Sequence, residues 1–560
     1  MSSFQRGGDF SGQQQQQVPI LVLKEGTTET KGKQAQRNNI TAAKLIAELV
    51  KSALGPRGMD KMLVSPVGDV TITDDGATIL KEVEIEHPAA KMMVEVAKSV
   101  DNEVGDGTTS AVVLAGALID KAEELISKQV HPTVIVDGYQ SAAEKAIEIL
   151  REAAIDTGDD PASNKEWLYK VARTSMLSKL VSGESEQMAK LAVDAVVAAA
   201  EKLGGQYKLD ADNIKVEKKA GGSLHDTRLV KGLVLDKEVV HGGMPKRIEN
   251  AKIVLLNAPL EIEKTEMSAE IRISDPQQMQ KFLEEEDRML KSMVDKIKVA
   301  GANVVLCQKG IDDTAQHYLA KEGILAVRRV KESDVTKLAR ATGARIVTNI
   351  EDLTSDDLGN AELVEERKVE TDKWVFIEGC KNPRSVSILV RGGSQRVVDE
   401  AERSVHDAIM AVKDVIEYPH VVAGGGAPEA FVSAKIRDWA NSMSGRSQMA
   451  IQKFADAIET IPLVLAENAG MNPLDTQVEL RSKISGKEIK YGIDVLGAKV
   501  ADISRLNIYE PLAVKEQVIN AATEAASMIL RIDEVIAASK PKQSSSEPKS
   551  PQYGGGFDEQ

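Results

Sequence analysis

Val104-Gly105-Asp106-Gly107-Thr108-Thr109-Ser110 runs straight into AVVLAGALIDKAEELI (111–126), an Ala/Val/Leu-rich stretch that reads as a helix. The first string therefore lies at a helix N-terminus. Its two glycines let backbone N–H groups approach an anion closely. Thr108, Thr109 and Ser110 add hydroxyl donors, and the helix start adds unpaired N–H groups and the positive end of the helix dipole. Asp106 would be repelled by bare phosphate, so its presence points to a bridging Mg²⁺. Thr and Ser are also preferred at an ordinary capped helix start, and that reading stands beside the first.

Around this stretch, residues 88–153 are expected to be helical, broken at GDGTTS (105–110) and at His131-Pro132. Upstream, PILVL (19–23) has the signature of a short buried strand and residues 39–54 that of a helix stopped by Gly55-Pro56. Residues 69–86 alternate like strands around a turn at Asp74-Asp75-Gly76. Downstream, helices are expected near 164–180 and 183–203, then short strands (IKVEKK, LVKGLVLD, KIVLLNA) over 214–260. From about 275 helix alternates with strand up to ARIVTNI, the rhythm of a parallel α/β layer. SVSILVRGG and a helix over 394–416 follow, and from 424 the chain is helical again with a β-rich interlude at 477–500. Helical, then α/β, then helical, the pattern implies one domain inserted in another, with both termini in the outer one.

Bulk composition excludes several function classes. The 560 residues carry 71 Lys and Arg against 86 Asp and Glu, a net charge of −15 that leaves no basic footprint for nucleic acid. Two cysteines, Cys307 and Cys380, make neither a disulfide framework nor a zinc spacing. The N-terminus lacks the apolar core of a signal peptide, and no window reaches the ~18 apolar residues that cross a bilayer. A cytoplasmic protein with no membrane partner is expected. The two ends, 1–17 and 540–560, have disorder-prone compositions. There is no GxxxxGK[ST] and no GxGxxG between strand and helix, so neither a Walker-type ATPase nor a dinucleotide fold is indicated.

Two further glycine clusters, Leu54-Gly55-Pro56-Arg57-Gly58 and Gly424-Gly425-Gly426-Ala427-Pro428-Glu429, suit close backbone approaches or plain loops. Asp75 lies in a turn where Asp-Gly is common for conformational reasons. Asp407 lies within the helical run SVHDAIMAV among apolar neighbours, where a solvent-facing Asp is the default and a functional one the alternative.

Taken in order, nine strings resemble the group II chaperonins, specifically the archaeal thermosome branch related to the eukaryotic cytosolic chaperonin. They are QVPILVLKEGT (17–27), AQRNNITAAK (35–44), LGPRGMDKML (54–63), DDGATILKE (74–82), VGDGTTSAVVLAG (104–116), GANVVLCQKGIDDTAQHYLAKEGILAVRRV (301–330), GCKNPRSVSILVRGG (379–393), AGGGAPE (423–429) and LAENAGMNPLDT (465–476). The resemblance covers about 18–538. It implies a multi-domain α/β and α chaperonin fold: a mostly helical equatorial ATPase domain from 1–156 and 417–560, an intermediate hinge domain from 157–228 and 379–416, and an α/β apical domain, 229–378, with a helical lid protrusion at about 256–290.

By the same resemblance, Asp106 holds Mg²⁺ and Gly107, Thr108, Thr109 and Ser110 line the phosphates of ATP. Leu54, Gly55 and Pro56 pack near the nucleotide, and Gly425 lies beside ribose and base. Asp75 and Asp407 position and activate the attacking water, and Lys179 senses the γ-phosphate. Glu510, before Pro511, stands where the family pattern has Asp and takes the ribose contact. Implied partners are identical or paralogous subunits in a double ring and unfolded client proteins, with no separate co-chaperonin cap. Competing function classes are a ring or filament that uses nucleotide only as glue, and a small-molecule kinase or synthetase, for which the sequence offers no second substrate pocket. In the protrusion and the helix after it, Asp275-Pro276 opens a run in which Met279, Phe282, Leu283, Met289, Leu290, Met293, Val294 and Ile297 recur at helical spacing, core-facing or client-gripping.

Overall fold

The computed structural model describes residues 28–179, 183–262, 276–380, 385–484 and 489–537. The chain divides into two units, residues 1–39 with 532–560, and residues 40–531. In the first, Thr28–Lys31 pairs antiparallel with Glu534–Ala537, and the Gly32 amide donates to the Asp533 carbonyl at 2.7 Å. The strand expected at 19–23 and both tails lie outside the described residues.

The second unit contains three main hydrophobic cores. One draws on residues 40–150 and 422–530, from both sides of the chain's middle. Its helices include Pro88–Val104, Thr108–Ser127, Pro132–Ala153, Ala427–Asn441, Arg446–Ile458 and Leu512–Leu530. Left-handed Gly105 (φ 66°) ends the first of these, and Pro132 opens the third, where His131 accepts from the Thr133 amide. Small residues make the helix crossings close. A Cβ on Gly116 would stand 2.2 Å from Ala47 Cβ, so the helix carrying Ala47 passes almost backbone to backbone.

A second core spans 168–216 and 386–421 with Tyr509. Here Ile214–Ala220 runs parallel to Val386–Gly392, which pairs antiparallel with Arg228–Val230 on its other edge. Helices Lys165–Met176, Ser185–Ala199 and Gln395–Glu417 supply the rest of this core.

The third core, 233–377, is built on a seven-stranded sheet. The expected parallel βαβ rhythm accounts for Arg247–Leu256, Val304–Cys307, Leu325–Val327 and Ile346–Val347. The sheet's other half is antiparallel. It consists of a hairpin, Gly359–Val369 with Asp372–Cys380, that sequence periodicity did not single out, followed by Gly232–Leu235 at the edge.

Two local expectations are overturned. Residues 69–86 do not form a strand–turn–strand: Val70–Thr73 pairs with Lys61–Val64, and Asp75 then caps a helix, Gly76–Glu82, by accepting from the Ala77 and Thr78 amides. Residues 477–483 belong to helix Pro473–Lys483, so the interlude narrows to strands Tyr491–Asp494 and Lys499–Asp502. The protrusion expected at 256–290 lies partly outside the described residues, which omit 263–275. In helix Pro276–Ala300 the apolar stripe divides: Leu290, Val294 and Ile297 are buried in the α/β core, while Met279, Phe282, Leu283 and Met289 are exposed.

Candidate functional site

Helices Pro88–Val104 and Thr108–Ser127 meet at a three-residue corner, and both glycines there are left-handed, Gly105 at φ 66° and Gly107 at φ 80°. A Cβ on Gly105 would stand 2.5 Å from the Met410 side chain, and one on Gly107 2.9 Å from Val514. The corner is thus wedged between helix Gln395–Glu417 and helix Leu512–Leu530. Gly107 is the N-cap of the second helix, and no side chain caps it. Thr108 and Ser110 therefore do not close the helix end in the ordinary way, and the N-terminal amides are left for an incoming acceptor. Asp106 turns back so that Oδ1 accepts from the Gly107 amide at 2.7 Å.

Three more acidic side chains face this corner. Asp75 Oδ2 accepts from the Thr78 amide at 2.8 Å, and Thr108 Oγ1 donates to Asp75 Oδ1 at 3.3 Å. Burial works against its charge, but Lys179 and the Thr78 donors outweigh burial and hold Asp75 below the usual carboxylate range. Asp407, on Gln395–Glu417, is 9% exposed, and its Oδ2 lies 2.9 Å from Lys179 Nζ. Burial pushes Asp407 up to about 8, with Asp75 and Asp106 adding to the rise and Lys179 opposing it. Burial by itself would lower Lys179, yet Asp407, Asp74, Asp75 and Asp106 together keep it protonated, well above its ordinary value. Asp74 is pushed up to about 6, chiefly by burial. Asp74 escaped the sequence reading because Asp75 beside it took the turn's role. The doubled Asp of DDG was the only available signal.

A cavity of about 440 Å³ gathers these groups: Leu54, Gly55, Asp74, Asp75, Asp106 to Ser110, Lys179 and Asp407. It opens into a second, of about 1140 Å³, through the shared wall of Leu54, Gly55, Asp106, Gly107, Ser110 and Ser178. The larger cavity adds Pro56, Gly425, Glu510 and Lys515 to an apolar lining that includes Ile461, Leu465, Ile493 and Val495. Gly425 is left-handed (φ 64°) and its carbonyl accepts from the Ile493 amide at 2.8 Å, which ties the glycine loop to the cavity wall. Asn468 Nδ2 donates to the Leu54 carbonyl at 2.8 Å and fixes the 54–58 loop from behind. Every residue singled out from the sequence as a site residue thus lines one of two joined cavities, a charged end and an apolar end. Thr174, Asp494 and Lys515 also line them without having been anticipated.

Residues 46–540 match the profile of the TCP-1/cpn60 chaperonin family. The chain belongs to the TCP-1/cpn60 chaperonin family. Within it, the chain is 59% identical over 523 residues to thermosome subunit alpha of Archaeoglobus fulgidus, covering 93% of this chain and 95% of that protein. It is 58% identical over 519 residues to a thermosome subunit of Methanopyrus kandleri, with coverages of 93% and 95%. It is 57% identical over 541 residues to one of Pyrococcus horikoshii, with 97% of each chain covered. This chaperonin is of the group II, thermosome kind: an ATP-dependent chaperone subunit and an ATPase. Among the described residues, no helix is long and apolar enough to cross a membrane.

Proposed function

We propose that the joined cavities hold ATP with its phosphates at the charged end and its base at the apolar end, and that hydrolysis there drives enclosure of unfolded proteins in a double ring. The observation that carries this is the Lys179–Asp407 pair set against the uncapped N-terminus of helix Thr108–Ser127. That helix end and the hydroxyls of Thr108, Thr109 and Ser110 bind phosphate oxygens. Lys179 meets the terminal phosphate as a point charge. Asp407 and Asp75 orient water for in-line attack, and Asp407 accepts its proton.

Mg²⁺ fits this site. Four carboxylates around one lysine leave an excess of negative charge, which a cation between protein and triphosphate would balance. Among the described residues these carboxylates do not form a ready-made metal cluster, in keeping with an ion that takes most of its ligands from phosphate and water. Asp106 would hold it, and the ion would offset charge on the leaving phosphates.

The wider assignment follows the division into cores. We assign 1–156 and 417–560 to an equatorial ATPase domain, 157–228 and 379–416 to an intermediate domain, and 229–378 to an apical client-binding domain with a built-in lid. On this division Asp407 belongs to the intermediate domain and Asp75 to the equatorial one, so a hinge motion completes the hydrolytic site. Subunits identical or paralogous to this one form the rings in the cytoplasm, and no separate cap is needed.

The test is Asp407→Ala in the purified, assembled chain. Phosphate release is expected to fall by roughly 10²–10⁴ fold while ATP binding persists. Normal turnover would remove Asp407 from the catalytic pair. Microscopy with and without Mg·ATP should show double rings that pass from open to closed.

A further inference from the structure

At the wall of the apolar cavity three charged side chains are packed together. Lys515, on helix Leu512–Leu530, is 7% exposed, and Glu429, in the first turn of helix Ala427–Asn441, is 5% exposed. Lys515 Nζ lies 2.8 Å from Glu429 Oε1 and pairs at the same time with Glu510 Oε2. Glu510 sits in strand Tyr509–Pro511 and lines the cavity, and its side chain keeps 27% of its accessible surface. Its two oxygens are not equivalent. Lys515 holds Oε2, while Oε1 lies over the backbone of Gly424, where an added Cβ would stand 2.5 Å from it. Gly424 thus leaves room for an oxygen that no side chain claims among the described residues.

Such a group is an expensive way to fill a core. Apolar side chains of the same volume generally stabilise at least as well as a buried ion pair. Glu429 gains little locally beyond its place near a helix N-terminus, since its Oε2 has no hydrogen-bond partner among the described residues. Of the three, Glu510 and Lys515 line the larger cavity, while Glu429 stands behind them. Burial raises the proton affinity of Glu510 above its ordinary value, with Glu429 adding to the rise and the Lys515 ammonium opposing it.

We propose that Lys515, anchored by Glu429, is a positioning residue for nucleotide selection: it pins one oxygen of Glu510 so that the other accepts from sugar hydroxyls, and so makes the site select ribonucleotides over deoxyribonucleotides. This rests on the cavity being the nucleotide site and on Glu510 facing the sugar. A buried acceptor built to receive a hydroxyl rejects the analogue that lacks it, because the acceptor is then left unpaired. Without Lys515 the Glu510 arm is free to turn, and the site loses the distinction.

The experiment compares ATP with 2′-deoxyATP in hydrolysis by the assembled full chain, for the native protein and for Glu510→Gln, Lys515→Met and Lys515→Gln. The native chain is expected to prefer ATP in kcat/KM by roughly ten-fold, the size of one charge-assisted hydrogen bond. Lys515→Met should bring that ratio toward one by raising KM for ATP rather than by lowering kcat. Lys515→Gln, which keeps a donor in nearly the same volume, should fall between, and it decides the matter if the Met variant does not assemble. A native chain that treats the two nucleotides alike overturns the proposal. Discrimination that survives Glu510→Gln removes the sugar contact and the proposal with it. Discrimination lost in Glu510→Gln but intact in assembled Lys515 variants leaves the sugar contact standing and sinks the positioning role alone.

Discussion

Asp106 is the residue whose assignment is easiest to separate from its neighbours'. One of its oxygens is spent on the Gly107 amide, 2.7 Å away, so the carboxylate is oriented by its own loop and not by the Lys179 pair. Asp106→Ala should therefore leave the Lys179–Asp407 contact in place and weaken Mg·ATP binding itself, by roughly ten-fold or more if a metal–carboxylate contact is lost. Calorimetric titration with ATP, with and without Mg²⁺, checks this. A variant with native affinity in both would count against the metal role. The contrast with Asp75 is instructive at the same scale. Asp75 was legible as a turn residue, yet the turn is the start of a helix, and the side chain that caps it also accepts from Thr108 of the glycine corner.

Among the elements, helix Gln395–Glu417 does the most. It delivers Asp407 to the charged cavity, Ala411 to the wall of the larger one, and Met410 to the face of Gly105. Gly105→Ala would force a side chain into a left-handed backbone and onto Met410. A loss of about 1–3 kcal/mol is expected, seen as earlier thermal unfolding with weakened nucleotide binding. Two turns beyond Asp407 the same helix buries Asp414, which burial pushes up to about 8 and whose Oδ2 has no partner among the described residues. Lys413 pulls its affinity for protons down, while Glu417, Asp106 and Glu103 raise it. The native state thus holds a proton that the unfolded chain releases near pH 4, so ionisation of Asp414 costs stability progressively as pH rises from about 4 to 8. Asp414→Asn should gain on the native protein across that window and level off above it. Melting temperatures at pH 5, 7 and 9 report the sign, and a gap that does not widen between pH 5 and 7 would refute the assignment.

For the molecule as a whole, the nesting of cores was legible from composition, because helix-period and strand-period segments change over near 204 and again near 424. The glycine corner's place at a helix start was legible too, because Gly105 and Gly107 stand directly before the Ala/Val/Leu-rich run of 111–126. What stayed hidden depended on distant contacts. The Gly359–Val369 and Asp372–Cys380 hairpin carries Glu365, Arg367 and Glu378 on one face, and their ion pairs blur its alternation. Lys515 and Glu429 are 86 residues apart and look like ordinary helix charges until the fold buries them together. The proposed lid belongs to this scale as well. Removing 262–285 should leave ring assembly and phosphate release intact but abolish Mg·ATP-dependent protection of an enclosed client from protease. Persistent protection would move the lid elsewhere.

The split core also sets an order of events during synthesis. The α/β core lies wholly within 233–377, so its sequence has emerged while the last third of the chain is still being made. The helical core cannot close until residues near 530 arrive, roughly 150 positions later. At about 5–20 residues per second, the helices of 40–150 wait on the order of ten seconds or more beyond completion of the α/β body with part of their apolar surface unpartnered. A chaperone subunit thus passes through a stage in which its own helical core is itself a candidate client.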